Sequence, residues 1–138
     1  MQKRFAEFNL IREAMAIVNK TTDVIVKVQQ DQLFHGKDKD GKDLKPYRSA
    51  MYAAEKLSMN PLGVTDLKYT GAFYAGMFVD VGGDYFEIDS QDDKSDELTA
   101  KYGNIWGLNK EGRTSYIETS FMPGLKEIIG EKLKLSLE

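Results

Sequence analysis

The fold is decided by residues 66–108, DLKYTGAFYAGMFVDVGGDYFEIDSQDDKSDELTAKYGNIWGL. Near the middle of this stretch, Met77, Val79 and Val81 occupy every second position, and polar Asp80 lies between two of them. Alternation with a period of two residues is typical of a β-strand, because successive side chains point to opposite faces of a sheet. The stretch therefore predicts a strand with one apolar face.

A second alternating segment follows the first, and a pair of glycines separates them. The return segment places Phe86 and Ile88 on one face. Gly82 and Gly83 tolerate the positive φ angles that tight turns between antiparallel strands require. The sequence predicts an antiparallel hairpin over about residues 76–89. Since two strands alone are only marginally stable in water, we expect flanking helices to cover the apolar face.

The N-terminal part of the chain has the spacing of a helix. Its apolar residues recur at steps of three, four or seven, which predicts one helix over about residues 2–34, roughly nine turns long. Several β-branched residues follow Lys20 and lower helix propensity, so a break near Lys20 or a short strand is the alternative. The apolar positions are Phe8, Ile11, Met15, Val18, Ile25 and Val28.

A charged loop follows at residues 35–46, and it contains three aspartates. Its spacing excludes an EF-hand. With Gly41 as the sixth-position glycine, the first ligand position falls on Gly36 and the twelfth on Tyr47, and neither residue supplies a carboxylate. The segment predicts a solvated loop and no metal site.

Two short helices flank the hairpin in sequence. The first is predicted from Tyr47 to Met59, with Asn60-Pro61 ending it. Its apolar positions are Ala50, Ala53, Ala54 and Leu57. The second is predicted to begin at Ser90, since the segment Ser90-Gln91-Asp92-Asp93 resembles a capping box, and to run to about Tyr102 before Gly103.

The C-terminal helical region is predicted over about residues 110–136, with Asn109 as its N-cap. Pro123 lacks an amide hydrogen and its ring clashes with the carbonyl of Thr119, which predicts a kink or two successive helices. The fold class is therefore α+β: a long N-terminal helix, a central antiparallel hairpin packed by helices, and a C-terminal helical region kinked at Pro123. We expect a single domain over residues 1–138.

Composition narrows the classes of function. The chain has 138 residues, 41% hydrophobic and 30% charged, which is ordinary for one globular domain. A net charge of −3 and dispersed basic residues give no reason to expect sequence-specific nucleic-acid binding. The absence of cysteine excludes disulfides and thiolate chemistry. No apolar run approaches the roughly 20 residues of a membrane span, so no membrane partner is expected.

No catalytic motif is present in the sequence. The phosphate-binding GxxxxGK[ST], the dinucleotide-binding GxGxxG and the zinc-binding HExxH patterns are all missing. We therefore expect no catalytic residue, no cofactor and no metal. The weakest hypothesis is an enzyme that uses Asp89, Asp92, Asp93 and His35 around a divalent ion.

Aromatic side chains are the best candidates for contact with other subunits. Phe73, Tyr74, Tyr102 and Trp106 lie near turns that contain glycine, where a backbone can approach another surface. Interface centres are rich in tryptophan and tyrosine, although core filling is the alternative role for these residues. Placing Trp106 at a turn predicts that Trp106→Ala impairs assembly more than folding.

Four segments carry a resemblance to a known family: LFHGKDKDGKDLKPY at 33–47, DLKYTGAFY at 66–74, DYFEIDSQDDKSDELTAKYG at 84–103, and IWGLN at 105–109. Together they resemble small virion proteins from tailed phages and prophages of gut bacteria. These proteins are similar in layout to the neck and tail-completion proteins encoded beside head-tail connector genes.

The resemblance implies an α+β subunit that assembles into a homo-oligomeric ring between the portal and the tail. It implies portal, connector and tail proteins as neighbours, a location in the neck or tail of the virion, and the host cytoplasm during assembly. Heterologous contacts that close form rings, and a long helix with a hairpin gives one subunit two faces. The alternative is a small intracellular binding or regulatory module encoded by a prophage.

Overall fold

The computed structural model describes residues 9–68 and 71–137. The predicted α+β class is confirmed, with a two-stranded antiparallel sheet among several helices. The predictions for residues 2–8 and for Thr70 fall outside the described residues. In chain order the elements are α1 (Leu10–Lys20), α2 (Thr22–Phe34), α3 (Ala50–Leu57), α4 (Ala72–Ala75), β1 (Met77–Val81), β2 (Phe86–Ser90), α5 (Ser95–Tyr102), α6 (Lys110–Tyr116), a π-helical segment (Ile117–Phe121) and α7 (Met122–Leu137).

The predicted continuous N-terminal helix is interrupted at Thr21, which separates α1 from α2. The Thr21 hydroxyl donates to the carbonyl of Ile17 at 2.8 Å and lies 2.6 Å from the hydroxyl of Tyr116. A threonine side chain that bonds the backbone four residues earlier competes with regular helix geometry. The prediction of one continuous helix is therefore wrong, and the alternative, a break near Lys20, is confirmed.

The hairpin prediction is confirmed to within about one residue at each end. β1 and β2 pair antiparallel, with Val79 opposite Ile88. The alternation also holds, because Met77 and Ile88 are buried while Asp80 and Glu87 are exposed. The hairpin thus has one face toward the core and one toward solvent.

The turn of the hairpin differs from the prediction. Neither Gly82 nor Gly83 adopts a positive φ. A Cβ at position 82 would lie 2.6 Å from the ring of Tyr85, so a larger residue there would displace that exposed ring. The Gly82 amide also donates to the Tyr85 carbonyl at 2.7 Å, so the loop spans four residues between the strands.

The helix after the hairpin begins later than predicted, at Ser95 and not near Ser90. Ser90 remains in β2, where its hydroxyl donates to the Phe73 carbonyl at 2.7 Å and accepts from the Asp92 amide at 3.2 Å. These two hydrogen bonds engage the Ser90 hydroxyl at the end of the sheet, so Ser90 does not cap the helix.

The C-terminal helical region begins where predicted, with the Asn109 side chain accepting from the Gly112 amide at 2.9 Å. Its hydrogen bonding changes to the π pattern over Ile117–Phe121, directly before Pro123. Single π turns inside helices accommodate local irregularity such as a missing amide. The predicted interruption is thus present as a π-helical segment followed by α7.

Buried apolar side chains form two clusters. The first lies among α2, α4, β1 and α5, and the second lies beneath the sheet and against α6. Trp106 is partly buried and packs against both clusters. The first cluster comprises Leu33, Leu44, Leu67, Phe73, Tyr74, Met77, Leu98 and Ile105, and the second Val18, Ile25, Ile88, Leu108 and Tyr116.

Candidate interaction surfaces

Two of the four predicted contact residues lie in the core. Phe73 is 3% exposed and Tyr74 is 7% exposed, and both belong to the first cluster. The Tyr74 hydroxyl donates to the backbone carbonyl of Asp66. Burial, with a smaller effect of the Asp66 charge, raises the pKa of the Tyr74 phenol well above its usual range. For Phe73 and Tyr74 the structure therefore shows the core-filling alternative.

The other two predicted contact residues are partly buried. Tyr102 packs against the first cluster, at the end of α5. Trp106 lies outside the helices and strands, as predicted, and its ring centroid is 5.5 Å from that of Phe73. Its indole nitrogen donates to the Thr99 hydroxyl at 2.9 Å. Trp106 therefore joins the loop after α5 to the core, and only part of its surface is left for other contacts.

The most elaborate polar cluster in the described chain surrounds Asp66. The Lys56 ammonium lies 2.9 Å from one carboxylate oxygen of Asp66, and both side chains are almost completely buried. Asn60 donates to the other oxygen at 3.0 Å, and Tyr47 donates to the first at 3.2 Å. The Lys68 amide donates to Asp66 at 2.9 Å. A buried ion pair with this many hydrogen bonds holds the segments on either side of α3 together.

The charge state of the cluster follows from its geometry. Burial alone would raise the pKa of the Asp66 carboxyl, but hydrogen bonds from the Lys68 amide, Lys56 and Asn60 outweigh it and lower that pKa. Burial raises the pKa of the Tyr47 phenol well above its usual range; the hydrogen bond from the Asp66 amide lowers it, and the charge of the Asp66 carboxylate raises it further. At neutral pH Asp66 is therefore a carboxylate and Tyr47 a neutral phenol.

The helix α3 turns a lysine inward and leaves large apolar side chains exposed. Leu57 is 50% exposed, whereas Lys56 is 4% exposed. Met51 is 83% exposed. This orientation follows from the Lys56–Asp66 pair, which holds the lysine side of the helix against the rest of the chain. We call the exposed apolar residues of this region the α3 surface: Met51, Leu57, Met59 and Leu62.

A second exposed apolar surface lies where α1 and α7 meet. The Glu13 and Lys132 side chains approach to 3.8 Å, and Ile17 lies against Gly124. The start of α1 is therefore close to the end of α7. Three large apolar side chains there are more than half exposed, and we call them the α1–α7 surface: Leu10, Ile11 and Leu135. Leu133 is also exposed but lies on the far side of α7, about 180° around the helix from Gly124.

The residues of the enzyme hypothesis do not form a metal site. The carboxylate of Asp89 accepts from the Ser95 hydroxyl at 2.7 Å. The His35 ring nitrogen lies 2.7 Å from the Asp31 carbonyl, at the end of α2. Within residues 9–68 and 71–137, no group of three histidine, aspartate or glutamate side chains is arranged to hold a metal ion.

The charged loop 35–46 is a turn held by its own side chains. Asp38 accepts from the amides of Asp40 and Lys42 at 2.9 Å each. Lys37 and Asp43 form an isolated β-bridge and an exposed ion pair.

Within residues 9–68 and 71–137, none of the helices has the length and apolar character needed to cross a membrane.

Comparisons with known proteins give no relative for this chain. No protein-family model, no curated protein and no solved structure matches it.

The sequence interpretation missed the Asp66 cluster and both apolar surfaces. Nothing in the periodicity marks Lys56 as buried, because its partner Asp66 lies on a different segment. In the sequence, the signal for the α3 surface was two methionines close together in a short segment, Met51 and Met59. Methionine is frequent at adaptable binding surfaces.

Proposed function

We propose that this chain is a structural virion protein of a tailed phage, a ring-forming neck or tail-completion subunit that joins the head and portal connector to the tail. Its partners are further copies of itself and the neighbouring connector and tail proteins. It acts by shape and contact. The resemblance of the four sequence segments supports the phage assignment, and the distribution of exposed apolar side chains supports the ring.

The observation that carries the proposal is the presence of two separate apolar surfaces on one small subunit. Scattered exposed apolar residues are ordinary, but contiguous groups with polar surroundings mark contact sites. The α3 surface has four exposed large apolar residues within residues 51–62, with Met51 and Leu57 about 120° apart around α3. The α1–α7 surface has three more at the junction of two helices.

The two surfaces lie at opposite ends of the α1–α2 pair. Asn60, beside the α3 surface, donates to the Phe34 carbonyl at the C-terminal end of α2 at 2.9 Å. Leu10 and Ile11 are at the N-terminal end of α1. Thr21 alone links the two helices, and antiparallel helix pairs need connections of about two to five residues. The helices therefore do not fold back on each other as a hairpin, and the two surfaces lie at opposite ends of the pair.

Two different surfaces at opposite ends favour head-to-tail contact over a two-fold dimer. In a head-to-tail contact the α3 surface of one copy packs on the α1–α7 surface of the next, and repetition with a suitable rotation closes a ring. A two-fold dimer that packs one surface against itself leaves the other exposed. An antiparallel two-fold dimer that pairs the two surfaces reciprocally stops at two copies, so wild-type assembly beyond a dimer distinguishes the ring. The ring therefore uses both surfaces.

The experiment is a complementation of two assembly variants, measured by light scattering after size exclusion. Variant A carries Met51→Lys and Leu57→Lys, and variant B carries Leu10→Lys and Ile11→Lys. Each variant alone is expected to remain monomeric, because lysine is costly in an apolar contact. An equimolar mixture is expected to give a heterodimer, since B keeps the α3 surface and A keeps the α1–α7 surface. Wild-type protein is expected to give one closed oligomer.

A control variant carries two lysines at exposed polar positions, Thr114→Lys and Ser115→Lys, and is expected to assemble as the wild type does. Failure of variants A and B to form a heterodimer, while wild type assembles, would contradict the head-to-tail contact. A wild-type chain that stays monomeric at every concentration would contradict self-assembly.

The virion assignment is tested on particles. Mass spectrometry of purified phage particles from the strain that carries this gene is expected to detect the polypeptide at a fixed ratio to portal protein. Genes for a portal, a capsid or a tail tube are expected beside its own gene. Particles without any trace of the polypeptide would contradict the assignment.

A prophage-encoded module that binds one host protein is the second candidate. One observation favours it: the α3 surface alone, with Met51 83% exposed, suffices for a one-to-one complex. The complementation experiment separates the two candidates, because a one-to-one binder needs no second surface and its variant B would behave as wild type.

A further inference from the structure

The solvent-facing side of the hairpin forms a groove with an acidic rim and an aromatic floor. The groove has a volume of about 450 Å³ and lies between the sheet, α5 and the loop that contains Trp106. Phe78 is 37% exposed within it. We call this feature the acidic groove; the residues that matter here are Phe78, Asp80, Glu87, Asp89, Asp96 and Trp106.

The charges of the acidic groove are not neutralised by the chain itself. Asp80 lies directly opposite Glu87 in the register of the two strands. Like charges directly opposite each other destabilise an antiparallel pair. No ion pair reaches Asp80, Glu87 or Asp96 in the described part of the chain. The Asp80–Glu87 pair therefore costs stability, and no ion pair among the described residues offsets that cost.

One lysine of the chain lies at the edge of the groove without an ion pair to its carboxylates among the described residues. Lys39 is the cationic residue of the lining, and its aliphatic stem passes over Gly107, where a Cβ would lie 3.0 Å from it. Gly107 has a φ of +116°, a conformation suited to glycine. The Lys39 amide also donates to the Asn104 carbonyl at 3.0 Å, which fixes this part of the loop. A cationic side chain thus already lies across one end of the groove.

We propose that the acidic groove binds a lysine- and arginine-rich extended segment of another protein. The cationic groups would meet Asp80, Glu87 and Asp96, and their aliphatic or guanidinium parts would pack on Phe78 and Trp106. Arginine stacks on aromatic faces while its charge pairs with carboxylates, which matches this combination. The sign of the groove disfavours nucleic acid, since phosphates would be repelled. This inference goes beyond the proposed ring and does not depend on it.

The probe is an acetylated and amidated eight-residue peptide that alternates arginine and alanine. Trp106 is the single tryptophan of the chain and lines the groove, so its fluorescence reports occupancy directly. The double variant Asp80→Asn/Glu87→Gln is expected to weaken binding about tenfold or more, since rim charges set the attraction. The variant is expected to fold at least as well as wild type, because it removes a repulsion.

The matched control is Glu55→Gln/Glu118→Gln, which removes the same two negative charges at exposed positions outside the groove. It is expected to bind the peptide as wild type does. Equal weakening in both variants would overturn the proposal, since it would show general charge attraction only. Absence of any fluorescence change with the wild type, or an equal response to spermine, would overturn it as well.

Discussion

The α3 surface and the hairpin place their charged and apolar side chains in opposite ways. On the hairpin, Ile88 is buried and Asp80 faces solvent, as in any sheet with one face on a core. On α3, Lys56 is buried against Asp66 while Met51 is 83% exposed. The same chain therefore holds one element by burial of apolar area and the other by an ion pair.

This difference determines which side chains each region leaves available for contact with other molecules. The strands of the hairpin use most of their apolar residues for folding, so polar groups, Phe78 and the loop residue Tyr85 remain available outside. The helix α3 packs little on other helices and strands, and a polar anchor leaves its large apolar residues available for contact. A buried ion pair is a poor source of net stability but a precise way of fixing one orientation.

The largest effect is expected from breaking that anchor. Lys56→Ala leaves the Asp66 carboxylate buried without its cation, which costs about 3–5 kcal/mol in the free energy of unfolding. Urea denaturation followed by circular dichroism measures the loss. If α3 were held by apolar packing instead, the loss would be well below this range.

The control for this prediction is an exposed ion pair of the same types. Lys27 and Asp31 lie 3.3 Å apart with side chains 71% and 60% exposed. Lys27→Ala is expected to cost less than about 0.5 kcal/mol, because solvent screens the pair. Equal losses in the free energy of unfolding of the two variants would show that burial of the Lys56–Asp66 pair adds nothing to its effect on stability.

Acid is expected to weaken the same anchor without any mutation. The pKa of Asp66 is lowered in the folded state below its ordinary value of 3.8. The unfolded chain then binds the proton more readily, so the contribution of Asp66 is complete above pH 3.8 and is lost as the pH falls through the lowered value. Urea midpoints of wild type and Asp66→Asn are expected to converge in that acid range. Parallel midpoints would contradict the lowered pKa.

The next largest effect concerns Trp106, and here the structure changes the expectation from the sequence. Because Trp106 packs against both clusters and bonds Thr99, Trp106→Ala is expected to destabilise the fold by about 2–4 kcal/mol. Trp106→Phe keeps much of the packing and is expected to cost about 1 kcal/mol for the lost hydrogen bond. A Trp106→Ala protein that folds as wild type and fails only to assemble would restore the interface interpretation.

The comparison also explains which parts of the fold the sequence could predict. The hairpin was predictable because a sheet with one buried face imposes a period of two on its residues, as Met77 and Ile88 show. The Asn109 cap was predictable because the capping residue bonds an amide only three positions away. Both signals are local in the chain.

The missed features depend on partners that are distant in sequence. The break at Thr21 coincides with its contact to Tyr116, which is 95 positions away in the chain. The orientation of α3 depends on Asp66, and Ser90 stays in the sheet because it bonds Phe73. Periodicity does not identify such pairs, and the apolar positions of α3 therefore do not show that Lys56 is buried.

The smallest expected effect concerns the two opposed acidic residues of the hairpin, Asp80 and Glu87. Asp80→Asn is expected to raise the free energy of unfolding by about 0.2–1 kcal/mol, because it removes the repulsion with Glu87 across the strands. Glu118→Gln, at an exposed position outside the sheet, is expected to give no gain. High salt should reduce the gain of Asp80→Asn, since it screens exposed charges. A loss of stability in Asp80→Asn would show that Asp80 has a favourable partner within the folded chain. The acidic groove would then be a structural feature of the hairpin and not a surface kept for binding.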